Sequence, residues 1–131
     1  HEVSIKVSPK DLIVYADESL IAHVVTNLLK NAVEAIKEKE STEVSEDKLA
    51  FIRIKAYANE QEAIVIDVTN NAGIIPDDIA AHIFIPFFTT KKEGSGIGLS
   101  LSRQIMRVSG GTLSLHQDKE ENTTTFRIFI P

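Results

Sequence analysis

Asn27 and Asn31 stand four residues apart in the run Asn27-Leu28-Leu29-Lys30-Asn31-Ala32, a spacing that puts both amides on one face of a helix. An amide oxygen is a hard ligand. It suits a Mg2+ ion, which takes one or two protein groups and fills its shell with water and phosphate oxygens. Asparagine is also common at a helix margin, so the pair gains meaning only from its neighbours. The run Gly94-Ser95-Gly96-Ile97-Gly98-Leu99-Ser100 leads into a helical pattern. Glycines let a backbone come close to a phosphate, and the free amides at a helix N-terminus attract anions. This is not the Lys-Ser/Thr phosphate loop, because no such pair follows. It is not the dinucleotide fingerprint either, because no strand directly precedes it. A third run, Phe84-Ile85-Pro86-Phe87-Phe88-Thr89-Thr90-Lys91-Lys92, joins phenylalanines fit for a core to lysines. Beside a glycine loop, such a lysine can meet a terminal phosphate as a point charge.

These residues need elements to hold them. Leu20, Ile21, Val24, Val25, Leu28, Leu29, Ala32, Val33 and Ile36 recur at three and four. They predict one amphipathic helix from an N-cap at Asp17 to about Lys37. Alternation predicts a strand over Val3 to Val7 and a short one over Leu12 to Tyr15. The charged, aperiodic stretch 38–49 reads as a solvated loop. Phe51 to Ala56 and Ala63 to Val68, around Asn59-Glu60-Gln61-Glu62, give a hairpin signal. Pro76-Asp77-Asp78 opens a short helix that ends near Phe84-Ile85-Pro86. Leu99 to Val108 is helical, and Gly110-Gly111 fits its C-terminus. Thr112 to His116 and Thr124 to Ile130 are the last strands. Paired strands alternating with helices predict a mixed sheet with helices packed on one face.

The chain has 131 residues, a formal net charge of −5 and no cysteine. That is one domain with room for a real core. It excludes a disulfide framework, a thiolate zinc site and a cysteine nucleophile. The acidic balance argues against bulk nucleic-acid binding, though not against an anion held on local amides. No apolar run approaches the ~18 residues of a membrane helix. The longest uncharged stretch, Ile79 to Thr90, contains His82 and Pro86. The N-terminal residues lack a basic-then-apolar signal pattern.

In this order and spacing the three runs resemble the catalytic and ATP-binding domain of sensor histidine kinases, within the gyrase, Hsp90, histidine kinase and MutL ATPase superfamily. Asn27 to Ala35 resembles the N box, and Asp67 to Pro76 occupies the place of the G1 box. Ile83 to Lys91 resembles the F box and the start of the ATP lid, and Gly94 to Leu99 the G2 box. Thr124-Thr125-Phe126-Arg127-Ile128 resembles the closing strand. The resemblance implies an α/β, Bergerat-type sandwich: a mixed sheet of five or six strands, three helices on one face and a lid over 87–98. It implies ATP with Mg2+ as ligands, with Asn31 ligating the metal and Asn27 beside it. Lys91, or its neighbour Lys92, would reach the terminal phosphate, so Asn31 and Lys91 carry the catalytic roles. Gly94, Ser95, Gly96, Ile97, Gly98 and Leu99 would line the phosphate end, with Thr90 and Phe88 from the lid. Phe87 and Phe88 would anchor that lid. Asn70, Gly73, Ile75 and Thr125 would surround the base.

The G1 stretch departs from the family's Asp-x-Gly-x-Gly. It reads Asn70-Asn71-Ala72-Gly73-Ile74-Ile75, with Asn70 in the place of the adenine-reading aspartate. Asp67 lies three residues too early, within the strand. A neutral acceptor in place of a charged one costs roughly 1 kcal/mol, a weakening rather than a loss. Asparagine can also donate to the keto oxygen of guanine, which predicts weaker discrimination against GTP. Asn27 stands where ATP-hydrolysing members carry a glutamate. It cannot take a proton, which favours transfer to a protein acceptor over hydrolysis.

His1, His23, His82 and His116 lack the acceptor pattern of a helical histidine followed by an acidic residue and a proline. The resemblance therefore implies a single domain of a larger sensor kinase. The acceptor histidine would lie on an absent dimerisation domain, and a response regulator would receive the group next. It implies a cytoplasmic, monomeric domain of a homodimeric parent that a membrane can anchor. Two other readings fit the fold: a degenerate interaction domain, and a stand-alone serine kinase of the anti-sigma-factor type.

Overall fold

Period-two alternation in four antiparallel-paired segments sets one apolar face against two long helices, and that face is the core. The computed structural model describes residues 2–42, 49–89 and 97–131. The described elements run β1 (Glu2–Ser8), α1 (Glu18–Thr42), β2 (Phe51–Ala58), β3 (Ile64–Asn70), α2 (Asp77–Ala80), α3 (Gly98–Val108), β4 (Thr112–Asp118) and β5 (Thr123–Ile130). They form a five-stranded mixed sheet in the order β1-β2-β3-β5-β4. β1 runs parallel to β2 and the other pairs are antiparallel.

Register converts sequence parity into a face. Ile54, Val68, Phe126 and Leu115 lie in one cross-strand row, and Ala56, Ile66, Ile128 and Leu113 in the next. Val24, Leu28, Ala32 and Ile36 of α1 and Met106 of α3 close over those rows. Leu28 is fully buried, and such a side chain contributes about 1.5–3 kcal/mol. Ile83 and Phe84, in the turns after α2, pack against the same cluster. Val3, Ile5 and Val7 continue the apolar face on β1 by register. The helices do not reach them, and Ile5 is 69% exposed.

Local chemistry fixes the helix ends. Asp17 caps α1, its Oδ1 accepting from the Leu20 N–H at 3.1 Å. At the end of α3 the Gly110 N–H donates to the Arg107 carbonyl and the Gly111 N–H to the Met106 carbonyl. This paired closure needs a left-handed residue, and Gly110 supplies φ +84°. Gly111 is required for another reason: a β-carbon there would lie 2.5 Å from the Phe129 carbonyl oxygen.

Three expectations are corrected. Leu12 to Tyr15 forms no strand; its exposure alternates, but no neighbouring strand pairs with it. α1 does not stop at Lys37, so 38–42 is helix rather than loop. Glu38-Lys39-Glu40 are good helix formers, and Lys39 Nζ reaches the Asn71 carbonyl at 3.4 Å. Residues 43–48 of the expected loop lie outside the described residues. α2 is shorter than expected, giving way to turns such as Ile85 N–H to the His82 carbonyl and Phe88 N–H to the Ile85 carbonyl.

Candidate nucleotide site

One helix face, one loop and one strand end enclose a cavity of about 350 Å³. α1 presents Asn31, Ala35, Glu38 and Lys39 to it; their spacing keeps them on one side of the helix. The segment after β3 brings Asn70, Ala72, Gly73, Ile74 and Ile75, and Ile79 follows from α2. β5 contributes Thr124 and Phe126.

The loop 70–76 is held by side chains in place of a ladder. Asn70 Oδ1 accepts from the Ala72 N–H at 3.0 Å, an Asx turn. Gly73 takes φ +122°, a conformation that favours glycine. Its carbonyl accepts from Thr124 Oγ1 at 2.8 Å. Gln117 of β4 binds both sides of Ile75: Oε1 accepts from the Ile75 N–H at 2.7 Å and Nε2 donates to its carbonyl at 3.1 Å. Asn71 does the same for the start of β2. Its Oδ1 accepts from the Phe51 N–H at 2.8 Å and its Nδ2 donates to the Leu49 carbonyl at 3.0 Å.

Of the residues singled out in the sequence, Asn31, Asn70, Gly73 and Ile75 meet at this cavity. Asn27 lies at the seam between α1 and α3, where its Nδ2 donates to the fully buried Ser102 Oγ at 3.0 Å. Gly98 packs directly against it. Leu99 packs on the core. Ile97 is 41% exposed, its carbonyl accepting from the Leu101 N–H. Phe88 is half-buried beside the His82 ring, 5.5 Å between centroids. Phe87 is 74% exposed at φ +69°. Thr90, Lys91, Gly94, Ser95 and Gly96, with most of the lid 87–98, lie outside the described residues.

Thr125 is a correction. It sits on the opposite face of the sheet, its hydroxyl 2.7 Å from that of Thr69. Thr124 is the buried residue that lines the cavity. Parity carried this information: Phe126, Ile128 and Ile130 face inward, so the residue two before Phe126 does as well. Gln117 escaped sequence reasoning, because nothing local marks a glutamine that will meet a loop 42 positions away. Asp67, set aside in the sequence, proves to be an outer-face residue paired with Arg127 at 2.8 and 3.1 Å. That hydrogen-bonded carboxylate raises the guanidinium's pKa above its ordinary value, against the opposing effect of burial.

Comparison with known proteins identifies the family. The family described as histidine kinase-, DNA gyrase B- and HSP90-like ATPase matches residues 16–131. The chain is 34% identical over 123 residues to the sensory histidine kinase/phosphatase NtrB of Rhizobium leguminosarum bv. phaseoli, covering 90% of this chain and 32% of that protein. The nucleotide-free catalytic domain of histidine kinase ThkA aligns with a TM-score of 0.80 and 31% identity, over 99% of this chain and 78% of that one. ThkA in complex with response regulator protein TrrA aligns at 0.73 and 30%, over 98% and 33%. The chain therefore belongs to this ATPase family, as an ATP-binding domain of the sensor histidine kinase kind. It spans a third or less of the length of the curated relatives it matches. Among the described residues, no helix is long and apolar enough to cross a membrane.

Proposed function

We propose that this domain binds ATP with Mg2+ and presents the terminal phosphate to a histidine on a helical dimerisation domain, from which the group passes to a response regulator. The observation that carries the reading is the meeting of Asn31, the Asn70–Pro76 loop and Thr124 around one cavity. Its volume falls in the range of small-molecule sites. Its walls are apolar at Ala35, Ile75, Ile79 and Phe126, as the faces of a base require, and Asn31, Glu38, Lys39, Asn70 and Thr124 supply polar groups. The ThkA–TrrA complex supports a response regulator as the partner, and the NtrB likeness supports a kinase activity.

The residues fit the ligands. Asn31 offers the amide oxygen that would hold Mg2+ against the phosphates, in the mode where the ion takes few protein groups. Bound there, the ion would neutralise phosphate charge. Lys91, Thr90 and the glycine run 94–98 would complete the phosphate end. The protein's part is positioning and charge stabilisation. Asn27, one turn before Asn31, accepts no proton, which favours transfer over hydrolysis.

Calorimetric titration with a non-hydrolysable ATP analogue, with and without Mg2+, tests this. Micromolar to sub-millimolar binding is expected, weakened by about tenfold in Asn31→Ala when Mg2+ is present. A folded domain that binds no nucleotide would overturn it. Ala72 and Ile74, in place of two glycines of the family pattern, would then mark a domain kept for interaction alone.

A further inference from the structure

The wall of the cavity formed by Asn70 has a polarity that the sequence leaves open. Asn70 is 4% exposed and lines the cavity. Its Oδ1 is taken by the Ala72 N–H at 3.0 Å. Its Nδ2 makes no hydrogen bond with any described residue. The Asx turn sets this orientation. Exchanging the amide's ends would turn NH2 toward the Ala72 N–H, donor against donor, and leave a partly buried backbone amide without an acceptor. The group offered to a ligand is thus a donor. Beside it the wall carries the apolar Ala72, Ile79 and Phe126, and the hydroxyl of its cross-strand neighbour Thr124 is turned to the Gly73 carbonyl, which suits a flat ring with one polar edge better than a phosphate.

We propose that Asn70 reads the 6-position of a purine by donating to it, so that 6-oxopurine nucleotides bind at least as tightly as adenine nucleotides. An oxo group presents an acceptor to Nδ2, whereas a 6-amino group presents a second donor. The inference rests on the nucleotide reading above and sharpens it to a substrate class. Asn70→Asp is its natural test. A carboxylate keeps one oxygen for the Ala72 N–H and turns the other, an acceptor, to the ligand.

Calorimetric titration of wild type and N70D with ADP, IDP and purine riboside diphosphate, all with Mg2+, separates the outcomes. IDP has the oxo group without guanine's 2-amino group, and purine riboside diphosphate has no 6-substituent. Wild type is expected to bind IDP as tightly as ADP or more so, with purine riboside diphosphate between or equal. N70D is expected to swing the ratio toward ADP by about tenfold or more. Tighter binding of ADP than IDP by wild type overturns the proposal, even if N70D fails to fold. So does a folded N70D whose ratio is unmoved. If no nucleotide binds folded wild type, the nucleotide reading falls and takes this inference with it. If nucleotides bind and ADP is preferred, only the inference falls.

Discussion

The side chain of Asn27 leaves no room for a β-carbon on Gly98: one built there lies 2.8 Å from Asn27 Oδ1 and 3.0 Å from Nδ2. The helix that carries the cavity-lining Asn31 and the helix that begins at Gly98 therefore meet at an amide and a glycine. Gly98→Ala should destabilise the domain by about 1–3 kcal/mol through overpacking. Asn27→Ala should cost about 1–2 kcal/mol by stranding the Ser102 hydroxyl. The double variant should be less destabilised than the sum, because Asn27→Ala empties the space the new methyl needs. Denaturant unfolding of all four proteins measures that coupling, and strict additivity would contradict it.

Adjacent threonines should behave as different residues. Thr124→Val removes the hydroxyl that donates to the Gly73 carbonyl and reaches Gln117 Oε1 at 3.1 Å. It should cost about 1–2 kcal/mol and weaken nucleotide binding by at least about fivefold. Thr125→Val loses only its bond to Thr69 on the far face. Its affinity should stay within about twofold of wild type, as for a substitution away from the site. Equal effects in a titration would place the cavity on the wrong side of the sheet.

Gln117→Leu keeps the bulk and discards the amide. Both Ile75 backbone groups lose their partner, so a cost of about 2–3 kcal/mol is expected. Nucleotide affinity should fall with it, although Gln117 itself does not line the cavity. An unchanged melting curve would show that the loop does not depend on this amide.

The Asp67–Arg127 pair should matter less than its geometry suggests. The Arg127 side chain is 36% exposed and that of Asp67 12%, so solvent screening should hold the cost of Arg127→Ala to about 1 kcal/mol. A raised guanidinium pKa contributes stability that is complete below the ordinary arginine value. It is lost only as pH rises through the elevated value. Stability profiles from neutral to mildly alkaline pH should therefore carry no step from Arg127 titration. A step in that range present in wild type and absent in Arg127→Met would refute this.

Where the sequence read well, one periodicity dominated. Leu28, Ala32 and Ile36 announced α1, and Ile64, Ile66 and Val68 announced β3, because burial on one face leaves a regular trace. Where it read poorly, the trace was present but ambiguous, or absent. Ile13 and Val14 alternate in exposure as a strand would, yet a strand also needs a ladder, which no local pattern reports. Glu38 and Lys39 look like loop residues by charge and are helical, since solvated side chains suit an exposed helix as well as a loop. The candidate site divides in the same way. Asn31 was marked by residue type and spacing, and Asn70 by the family resemblance. Thr124 was recoverable from parity, and Gln117 depends on how two distant segments meet in three dimensions.

The loop at Gly73 and Ile75 owes its shape to Thr124 and Gln117, both on strands of the sheet. Its order is thus established when the chain folds. Fixing a residue's backbone opposes binding by about 1–2 kcal/mol whenever a ligand must do it, and at this wall no ligand must. A base bound as proposed would meet a wall already formed. In the free protein the Ile75 amide should exchange with deuterium as slowly as those of the strands that hold it.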